Sequence, residues 1–480
     1  MNRKMILYVI GQILLIEAAC LTLPFATALI YSEPVWWVYL AVALGAAILG
    51  SALMLLCKTK NPVIFAKEGF VITALSWVTL SLVGALPFTI SGEIPSYVDA
   101  IFETVSGFTT TGASILTAPQ NLTHATMLWR SFTHWLGGMG VIVLVMALMP
   151  SVTGRSMHIL RAEVPGPSVD KLVPKVRETA KILYLIYIAL TLAEIIVLFA
   201  CGMPLFDSIV HSVGTAGTGG FGIKPDSVGG YAPILQWVIT IFMLLFGINF
   251  NVYYLILRRR LGAVVKSLEL WVYVGIVAAA VAIISFNIYP IYNNVSETLR
   301  TSAFQVSSII TTTGYSTADF NLWPALSKGI LFMLMFMGGC AGSTAGGLKL
   351  TRVILLFKLI RREILRILHP RSVKAVQIDG KSVEEDTLQG VGSYFIVYMM
   401  VMAVVFLLIC FEPFDFETNI SAVVACFNNI GPGFSSVGPA ASFTAYSDFS
   451  KIILSFAMLL GRLEIYPILF MLIPSTWTKK

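Results

Sequence analysis

The sequence predicts an all-α polytopic membrane protein, with four parallel repeats in a pseudo-four-fold arrangement preceded by two additional transmembrane helices. Three observations support this fold class: the composition, the length of the apolar runs, and a glycine-containing loop that recurs along the chain. Of the 480 residues, 57% are hydrophobic and 12% are charged. Soluble domains are about 25% charged, so the composition excludes a soluble fold of this length.

The apolar runs are long enough to cross a bilayer, because a transmembrane helix needs about 20 mostly apolar residues. The stretch 35–57, for example, contains no Asp, Glu, Lys or Arg. The first run is longer than the apolar part of a signal peptide and a second span follows it directly, which predicts a retained helix. Ten spans are predicted, at residues 5–31, 35–57, 69–91, 126–150, 182–203, 231–257, 269–290, 325–368 (interrupted), 390–411 and 451–475.

The charged residues between the spans predict the orientation of the chain. With both termini in the cytoplasm, basic residues fall on the cytoplasmic side, as membrane proteins prefer: Lys58, Lys60, Arg155, Arg161, Lys171, Lys175, Arg177, Arg258, Arg259, Arg260, Lys266, the stretch 352–381, Lys479 and Lys480. The opposite loops are acidic, with Glu33, Glu93, Asp99, Asp226, Glu412, Asp415 and Glu417. The net charge of +7 is therefore an orientation signal and does not indicate a nucleic-acid partner.

The recurring loop is most visible in two similar hexapeptides, TTTGAS at 109–114 and TTTGYS at 311–316. Two further segments, GTGGFG at 217–222 and IGPGFS at 430–435, also lie between a short semi-polar segment and a second apolar span. Alignment of the four loops places four glycines in register: Gly112, Gly220, Gly314 and Gly433. The predicted units are a two-helix region at 1–62 and repeats at 63–154, 175–260, 266–370 and 387–480.

Four such loops around one axis would form a selectivity filter for a cation. A dehydrated cation needs oxygen ligands, and backbone carbonyls of an extended loop supply them. Glycine adopts the dihedral angles that such a loop requires, and non-helical backbone is tolerated at membrane depth where protein buries it. For a single TTTG segment, close packing of transmembrane helices is an equally good explanation. Four copies at consistent spacing favour the filter.

These loops and their flanking spans resemble the Trk/Ktr/HKT superfamily of potassium translocators, and the two additional N-terminal spans resemble its TrkH-type membrane subunit. The resemblance implies four M1–P–M2 pore repeats and potassium uptake across the inner membrane of a prokaryote. It implies filter glycines at Gly112, Gly220, Gly314 and Gly433, and glycine at all four positions implies a potassium preference. The other ion-coordinating carbonyls would belong to Thr110, Thr111, Thr218, Gly219, Thr312, Thr313, Gly431 and Pro432.

Two features within the spans are candidates for a gate. The segment GGCAGSTAGGLK at 338–349 predicts a break, because each glycine costs a helix about 1 kcal/mol relative to alanine; the alternative is GxxxG helix packing. The resemblance implies an intramembrane loop below the filter, with Gly338, Gly339, Gly342, Ser343, Thr344, Gly346, Gly347 and Lys349. Arg462 is a costly charge inside the last span. The resemblance makes it part of the gate, whereas an ion pair with Glu464 is the alternative.

Two mechanisms remain open, a channel-like pore and an ion-coupled symporter that uses Na⁺ or H⁺. The parallel repeats favour a pore, because symporters usually contain inverted repeats. An enzyme is not expected, since no catalytic motif is present. The resemblance implies a homodimer and no cofactor in this chain, with nucleotide bound only by a separate cytosolic ring protein, TrkA in the Trk systems. That partner would dock on the basic stretches 155–181 and 352–381; contact with membrane lipid is the alternative role of these charges.

Overall fold

The computed structural model describes residues 2–58, 66–140, 176–371 and 375–477. These residues form helices joined by loops, with one small hairpin in which β1 (Gln377–Ile378) pairs antiparallel with β2 (Lys381–Ser382). The helices of the N-terminal region and first repeat are α1 Arg3–Cys20, α2 Thr22–Ile30, α3 Trp36–Leu56, α4 Ala66–Ile90, α5 Tyr97–Phe108 and α6 His124–Gly138. The second repeat contains α7 Val176–Ala200, α8 Leu205–Gly217, α9 Pro233–Phe246 and α10 Phe250–Leu257, and the short helix α11 Leu261–Val265 connects it to the third.

The third and fourth repeats contain the remaining helices. The third has α12 Leu268–Tyr292, α13 Val295–Ile310, α14 Ala325–Phe336 and α15 Leu350–Leu368. The fourth has α16 Glu385–Ile409, α17 Phe416–Phe427, α18 Asp448–Arg462, α19 Tyr466–Leu472 and α20 Pro474–Trp477. The predicted boundaries at 62 and 154 and several predicted cytoplasmic charges lie outside the described residues: Lys60, Arg155, Arg161, Lys171, Lys175, Lys479 and Lys480.

The N-terminal helices pack against each other through glycine and then against the first repeat. A methyl group placed on Gly11 of α1 would lie 2.7 Å from the carbonyl oxygen of Gly50 in α3, and one on Gly50 would lie equally close to Gly11. Only glycine allows two helix backbones to approach so closely. Helix α1 also packs on α4, which attaches this pair to the first repeat.

The described residues contain six helical segments that are long and apolar enough to span a membrane: Arg3–Ile30, Trp36–Leu56, Lys67–Ile90, Glu178–Ala200, Leu268–Tyr292 and Glu385–Ile409. These are the two N-terminal spans and the first span of each repeat. In the second, third and fourth repeats the second span is an interrupted helix, and α9 with α10 would add a seventh span if this bent pair is counted as one. The interruptions fall at the glycine-containing segments that the sequence places in these spans. The count of ten spans stays a prediction, because the second span of the first repeat extends beyond the described residues.

The breaks differ in form among the repeats. In the second repeat, α9 and α10 meet at 89° around Gly247. In the third, a loop of residues 337–349 separates α14 from α15. In the fourth, α18 ends at Arg462 and α19 begins at Tyr466. In the first, α6 ends at Gly138, and the rest of the predicted span lies outside the described residues.

Each repeat also contains one short helix between its two spans, which we call the pore helix: α5, α8, α13 and α17. The pore helices are buried over most of their length. The second span of each repeat packs on the pore helix of the next repeat, and the span of the fourth repeat packs on the first pore helix. The repeats therefore form a closed ring, as the predicted pseudo-four-fold arrangement requires.

Candidate ion filter and gate

All four pore helices end in the same backbone motif, a Schellman motif. In each, a residue at the helix cap or directly after it is left-handed, and the N–H of the following residue bonds back to a carbonyl five residues earlier. The first pore helix illustrates the pattern, because the N–H of Thr110 donates to Gly107 and that of Thr111 donates to Ser106. The left-handed residues are Thr110 (φ 57°), Thr218 (φ 56°), Thr312 (φ 55°) and Asn429 (φ 55°).

Three of these left-handed residues are threonine, which is unexpected. Left-handed backbone is unfavourable for a β-branched residue, and glycine usually occupies this position. Such strain costs about 1–3 kcal/mol per residue and persists only where the surrounding structure enforces it, typically at functional sites. Its occurrence in three of the four loops identifies this layer as the candidate site.

Two residues after each left-handed position lies a glycine that contacts the next loop. A methyl group on Gly112 would lie 2.0 Å from the carbonyl oxygen of Gly219. A methyl group on Gly220 would lie 2.0 Å from the carbonyl oxygen of Thr313, and one on Gly314 would lie 2.0 Å from the carbonyl oxygen of Ile430. On Gly431 it would lie 2.7 Å from the carbonyl oxygen of Thr111. The four loops thus form a closed ring, in which each glycine faces a backbone carbonyl of the next repeat.

The ring corrects the predicted position of the fourth glycine. Gly431 (φ 102°) occupies the place of the other three ring glycines, whereas Gly433 packs outside the ring, against Ser421 of its own pore helix and Val437. The residues before the fourth glycine are consequently Asn429 and Ile430, in place of Gly431 and Pro432. The sequence alignment chose Gly433 because Gly433, Phe434 and Ser435 match the glycine, aromatic residue and serine at 314–316. The usable signal was Asn429, since asparagine tolerates the left-handed conformation better than most residues.

The four ring glycines border a cavity of about 150 Å³. Arg130 also lines this cavity and was not among the predicted site residues. Its Nε lies 2.6 Å from Glu103 Oε1, and its guanidinium carbon lies 3.6 Å above the ring of Phe221. It also donates to Ser114 Oγ and to the carbonyl oxygen of Gly222. Arg130 therefore connects the segments that follow the first two ring glycines.

The sequence analysis did not identify Arg130 because this residue lies within the apolar run 126–150, which was interpreted only as a membrane span. The signal was nevertheless present. A charged residue inside a membrane span is costly unless paired, and it marks a functional or structural site by default. Arg130 is 3% exposed and Glu103 is 1% exposed, so this pair is buried beside the candidate filter.

The glycine-rich segment 337–349 is a loop, and the alternative of a packed GxxxG helix is wrong. Its two ends are held together because Gly338 N–H donates to Leu348 O at 2.9 Å and Leu350 N–H donates to Gly339 O at 3.2 Å. A methyl group on Gly338 would lie 2.0 Å from the carbonyl oxygen of Gly346. The tip contacts the third filter loop, since Gly346 N–H donates to Thr312 Oγ1 at 2.6 Å.

Two buried cations bind the carbonyl oxygens of this gate loop. Arg462 donates to Thr344 O at 2.8 Å and also to Gly137 O and Gly138 O of α6, at 2.5 and 2.8 Å. The ammonium group of Lys349 donates to Ala345 O and, at 3.5 Å, to Ser343 O. The carboxylate of Glu464, proposed as an alternative partner of Arg462, accepts two hydrogen bonds from Arg352, at 2.9 and 2.6 Å.

Side chains that usually bind metals do not cluster in the part of the chain that the structure describes. No group of three or more His, Cys, Asp or Glu residues there could hold a metal ion. The oxygen atoms that lie against the ring glycines are instead backbone carbonyls, the kind of ligand that binds dehydrated potassium ions in selectivity filters.

The chain matches a known protein family over most of its length. The family model described as "TrkH: Cation transport protein" matches residues 39–272 and 262–479. The chain belongs to the TrkH family. It is 37% identical to the Trk system potassium uptake protein TrkH of Salmonella typhimurium and 36% identical to that of Escherichia coli K12, with 99% of this chain and 100% of each relative covered.

A solved structure extends the comparison to the fold of this TrkH-family chain. The crystal structure of the potassium transporter TrkH from Vibrio parahaemolyticus matches with a TM-score of 0.89 at 30% identity, and the match covers 100% of both chains. The predicted family and fold class are thereby confirmed. The relatives are transport proteins, in agreement with the expectation that the chain is not an enzyme.

Proposed function

We propose that this chain takes up potassium across the cytoplasmic membrane of a prokaryote through a channel-like pore. The observation that carries the proposal is the closed ring of four loops, in which a glycine of each repeat faces a carbonyl of the next. The names of the relatives, which are potassium uptake proteins, support potassium as the transported ion. We propose the orientation that the charged residues predict, with both termini cytoplasmic.

The proposed filter takes its ligands from the backbone of the four loops. Carbonyl oxygens oriented toward a common centre replace the hydration shell of the ion. The proposed ion-coordinating residues are Thr110, Thr111 and Gly112; Thr218, Gly219 and Gly220; Thr312, Thr313 and Gly314; and Asn429, Ile430 and Gly431. The last three replace Gly431, Pro432 and Gly433 of the sequence prediction, because they occupy the matching backbone positions.

The proposed gate consists of the loop 337–349 and Arg462. The loop contacts Thr312 in the proposed filter layer, which supports a position in the path of an ion that leaves the filter. The charges of Arg462 and Lys349 lie beside it and oppose a cation that pauses there, because Coulomb repulsion is strong where water is excluded. The hydrogen bonds from these cations to loop carbonyls support a closed conformation.

The direct test of the filter is potassium and sodium flux into liposomes that contain the purified chain. Replacement of Gly112 with serine adds a side chain where Gly219 O lies 2.0 Å from the added carbon, in a backbone region that serine rarely adopts. We expect the preference for potassium over sodium to fall about tenfold, which corresponds to about 1.4 kcal/mol. An unchanged ratio would reject the assignment of this loop to the filter.

Current measurements separate the pore from the ion-coupled symporter. A pore conducts potassium down its gradient with no second ion, so the reversal potential follows the potassium gradient alone. An obligatory requirement for Na⁺ or H⁺ would instead establish the symporter. The parallel arrangement of the repeats supports the pore.

We also propose the partners that the family resemblance implies. These are a second copy of the chain, membrane lipid, and a cytosolic nucleotide-binding ring protein of the TrkA type. The exposed arginines of α15, such as Arg361 and Arg366, belong to the proposed docking surface, whereas most of the stretch 155–181 lies outside the described residues. Charge reversal of both arginines should weaken co-purification of the ring protein, and unchanged recovery would leave lipid contact as their role.

A further inference from the structure

A crevice opens between the third and fourth repeats and is separate from the cavity that the four ring glycines border. It has a volume of about 350 Å³. One wall is α14, with Gly329 and Phe332, and the other is α17, with Phe416 and Ile420. The floor is Phe434, three residues beyond the ring glycine Gly431. Apart from Lys328 and Glu417 at the rim, the lining is almost entirely apolar.

This crevice lies at the loosest of the four contacts between a second span and the next pore helix. At the first contact, a methyl group on Gly138 would lie 2.7 Å from Gly217 Cα. At the second, one on Gly247 would lie 2.8 Å from a methyl carbon of Thr311. At the third, a methyl group on Gly329 would meet no atom within 4 Å. Glycine here leaves space instead of allowing close helix contact.

The surroundings of the crevice face the membrane. Phe416, which lines the crevice, is 70% exposed. Leu326 and Met333, which follow the lining residues Ala325 and Phe332 in sequence, are 55% and 64% exposed. In a membrane protein, exposed apolar side chains of this kind contact lipid tails. An apolar opening in that surface admits a hydrocarbon chain more favourably than water, because polar molecules find few hydrogen-bond partners there.

The rim carries one charge of each sign. Lys328 Nζ lies 3.2 Å from Glu417 Oε1, and the two side chains are 29% and 51% exposed. Exposed pairs of this kind contribute little net stability, so both groups remain available to a ligand. A zwitterionic headgroup matches them, with its phosphate beside the ammonium of Lys328 and its own ammonium beside the carboxylate of Glu417. An anionic headgroup would place negative charge beside Glu417.

We propose that this crevice is a binding site for one phospholipid, with an acyl chain between α14 and α17 and a phosphatidylethanolamine headgroup at Lys328 and Glu417. The acyl chain would rest on Phe434, whose backbone N–H donates to Ser421 Oγ at 2.8 Å. The site therefore adjoins the back of the fourth filter loop. It depends on membrane residence of the chain and is independent of which ion the pore conducts.

The test uses the full chain in vesicles that contain phosphatidylethanolamine with a photoactivatable diazirine in the middle of one acyl chain. After illumination, peptides of α14 and α17 are analysed for lipid adducts by mass spectrometry. Gly329→Leu fills open space, so the variant should fold, and we expect adducts to fall about tenfold, equivalent to about 1.4 kcal/mol of binding. Gly275→Leu, also in open space on the exposed face of α12, should leave the adducts unchanged.

The headgroup is tested with phosphatidylglycerol that carries the same labelled acyl chain. We expect fewer adducts with this anionic lipid, and Lys328→Met should lower the yield with phosphatidylethanolamine. Equal labelling by both lipids would overturn the headgroup assignment. Adducts that persist in Gly329→Leu, or crosslinks from the crevice to a second copy of the chain in place of lipid, would overturn the lipid site itself.

Discussion

At the scale of single residues, the four left-handed positions have equivalent backbones and different side-chain contacts. The hydroxyl of Thr312 accepts a hydrogen bond from Gly346 of the gate loop. The hydroxyl of Thr110, at the equivalent position of the first loop, has no hydrogen-bond partner among the described residues. The first and third loops of the ring therefore differ in their contacts. The third loop binds the proposed gate loop through the hydroxyl of Thr312, whereas the hydroxyl of Thr110 in the first loop makes no such contact.

This asymmetry predicts different effects for the same substitution in two loops. Thr312→Val keeps the shape of the side chain and removes the acceptor, which leaves the N–H of Gly346 buried and unsatisfied at a cost of about 1–3 kcal/mol. We expect a higher basal potassium flux, because the closed position of the loop is weakened. Thr110→Val is the matched control and should leave basal flux near that of the unmodified chain. Equal effects in the two variants would contradict a direct role of this hydrogen bond.

The buried pair of Arg130 and Glu103 gives a prediction about stability. Arg130→Ala leaves the carboxylate of Glu103 buried without its cation, and loss of one member of a buried pair costs about 3–5 kcal/mol. We expect a lower midpoint of thermal unfolding in detergent. Arg362→Ala, which removes a partly exposed arginine paired with the exposed Glu385, serves as the control and should change the midpoint little. Similar midpoints for both variants would show that the buried pair contributes no more than a surface pair.

At the scale of structural elements, the loop and the cations of the proposed gate lie at the breaks of the second spans. The break in the fourth repeat is strained, because Glu464 (φ 56°) and Ile465 (φ 65°) are both left-handed and Tyr466 N–H bonds back to Glu464 O at 2.6 Å. Such γ-turns are rare and strained. The two hydrogen bonds from Arg352 to the Glu464 carboxylate link this turn to α15, which begins directly after the gate loop.

This link predicts that the gate loop and the fourth repeat move together. Glu464→Gln removes the charge of the acceptor, and we expect the closed state to be weakened and potassium flux in the absence of any partner protein to rise. Arg352→Lys should act in the same direction, since lysine cannot reproduce the two-point geometry of arginine. Flux is measured in liposomes. A decrease in both variants, with unchanged protein stability, would show that the pair favours the conducting state instead.

At the scale of the whole molecule, the sequence predicted the class of fold and the four repeats, because hydrophobic run length and repeated loops are local properties. It also predicted that the segment from Gly338 to Lys349 would interrupt its span. It failed at the register of the fourth loop, since GPG offers two glycines and only the contact with Thr111 of the first repeat distinguishes them. The pairing of Arg352 with Glu464 was equally hidden, because these residues are far apart in sequence.

The central claim is that Gly431, rather than Gly433, closes the ring of filter glycines. The most direct measurement compares the potassium-to-sodium permeability ratio of Gly431→Ala and Gly433→Ala in planar bilayers. Alanine at 431 places a methyl group 2.7 Å from Thr111 O in a conformation that favours glycine, whereas alanine at 433 crowds Ser421 outside the ring. We predict a loss of selectivity only for Gly431→Ala. Loss of selectivity for Gly433→Ala with a normal ratio for Gly431→Ala would contradict the account.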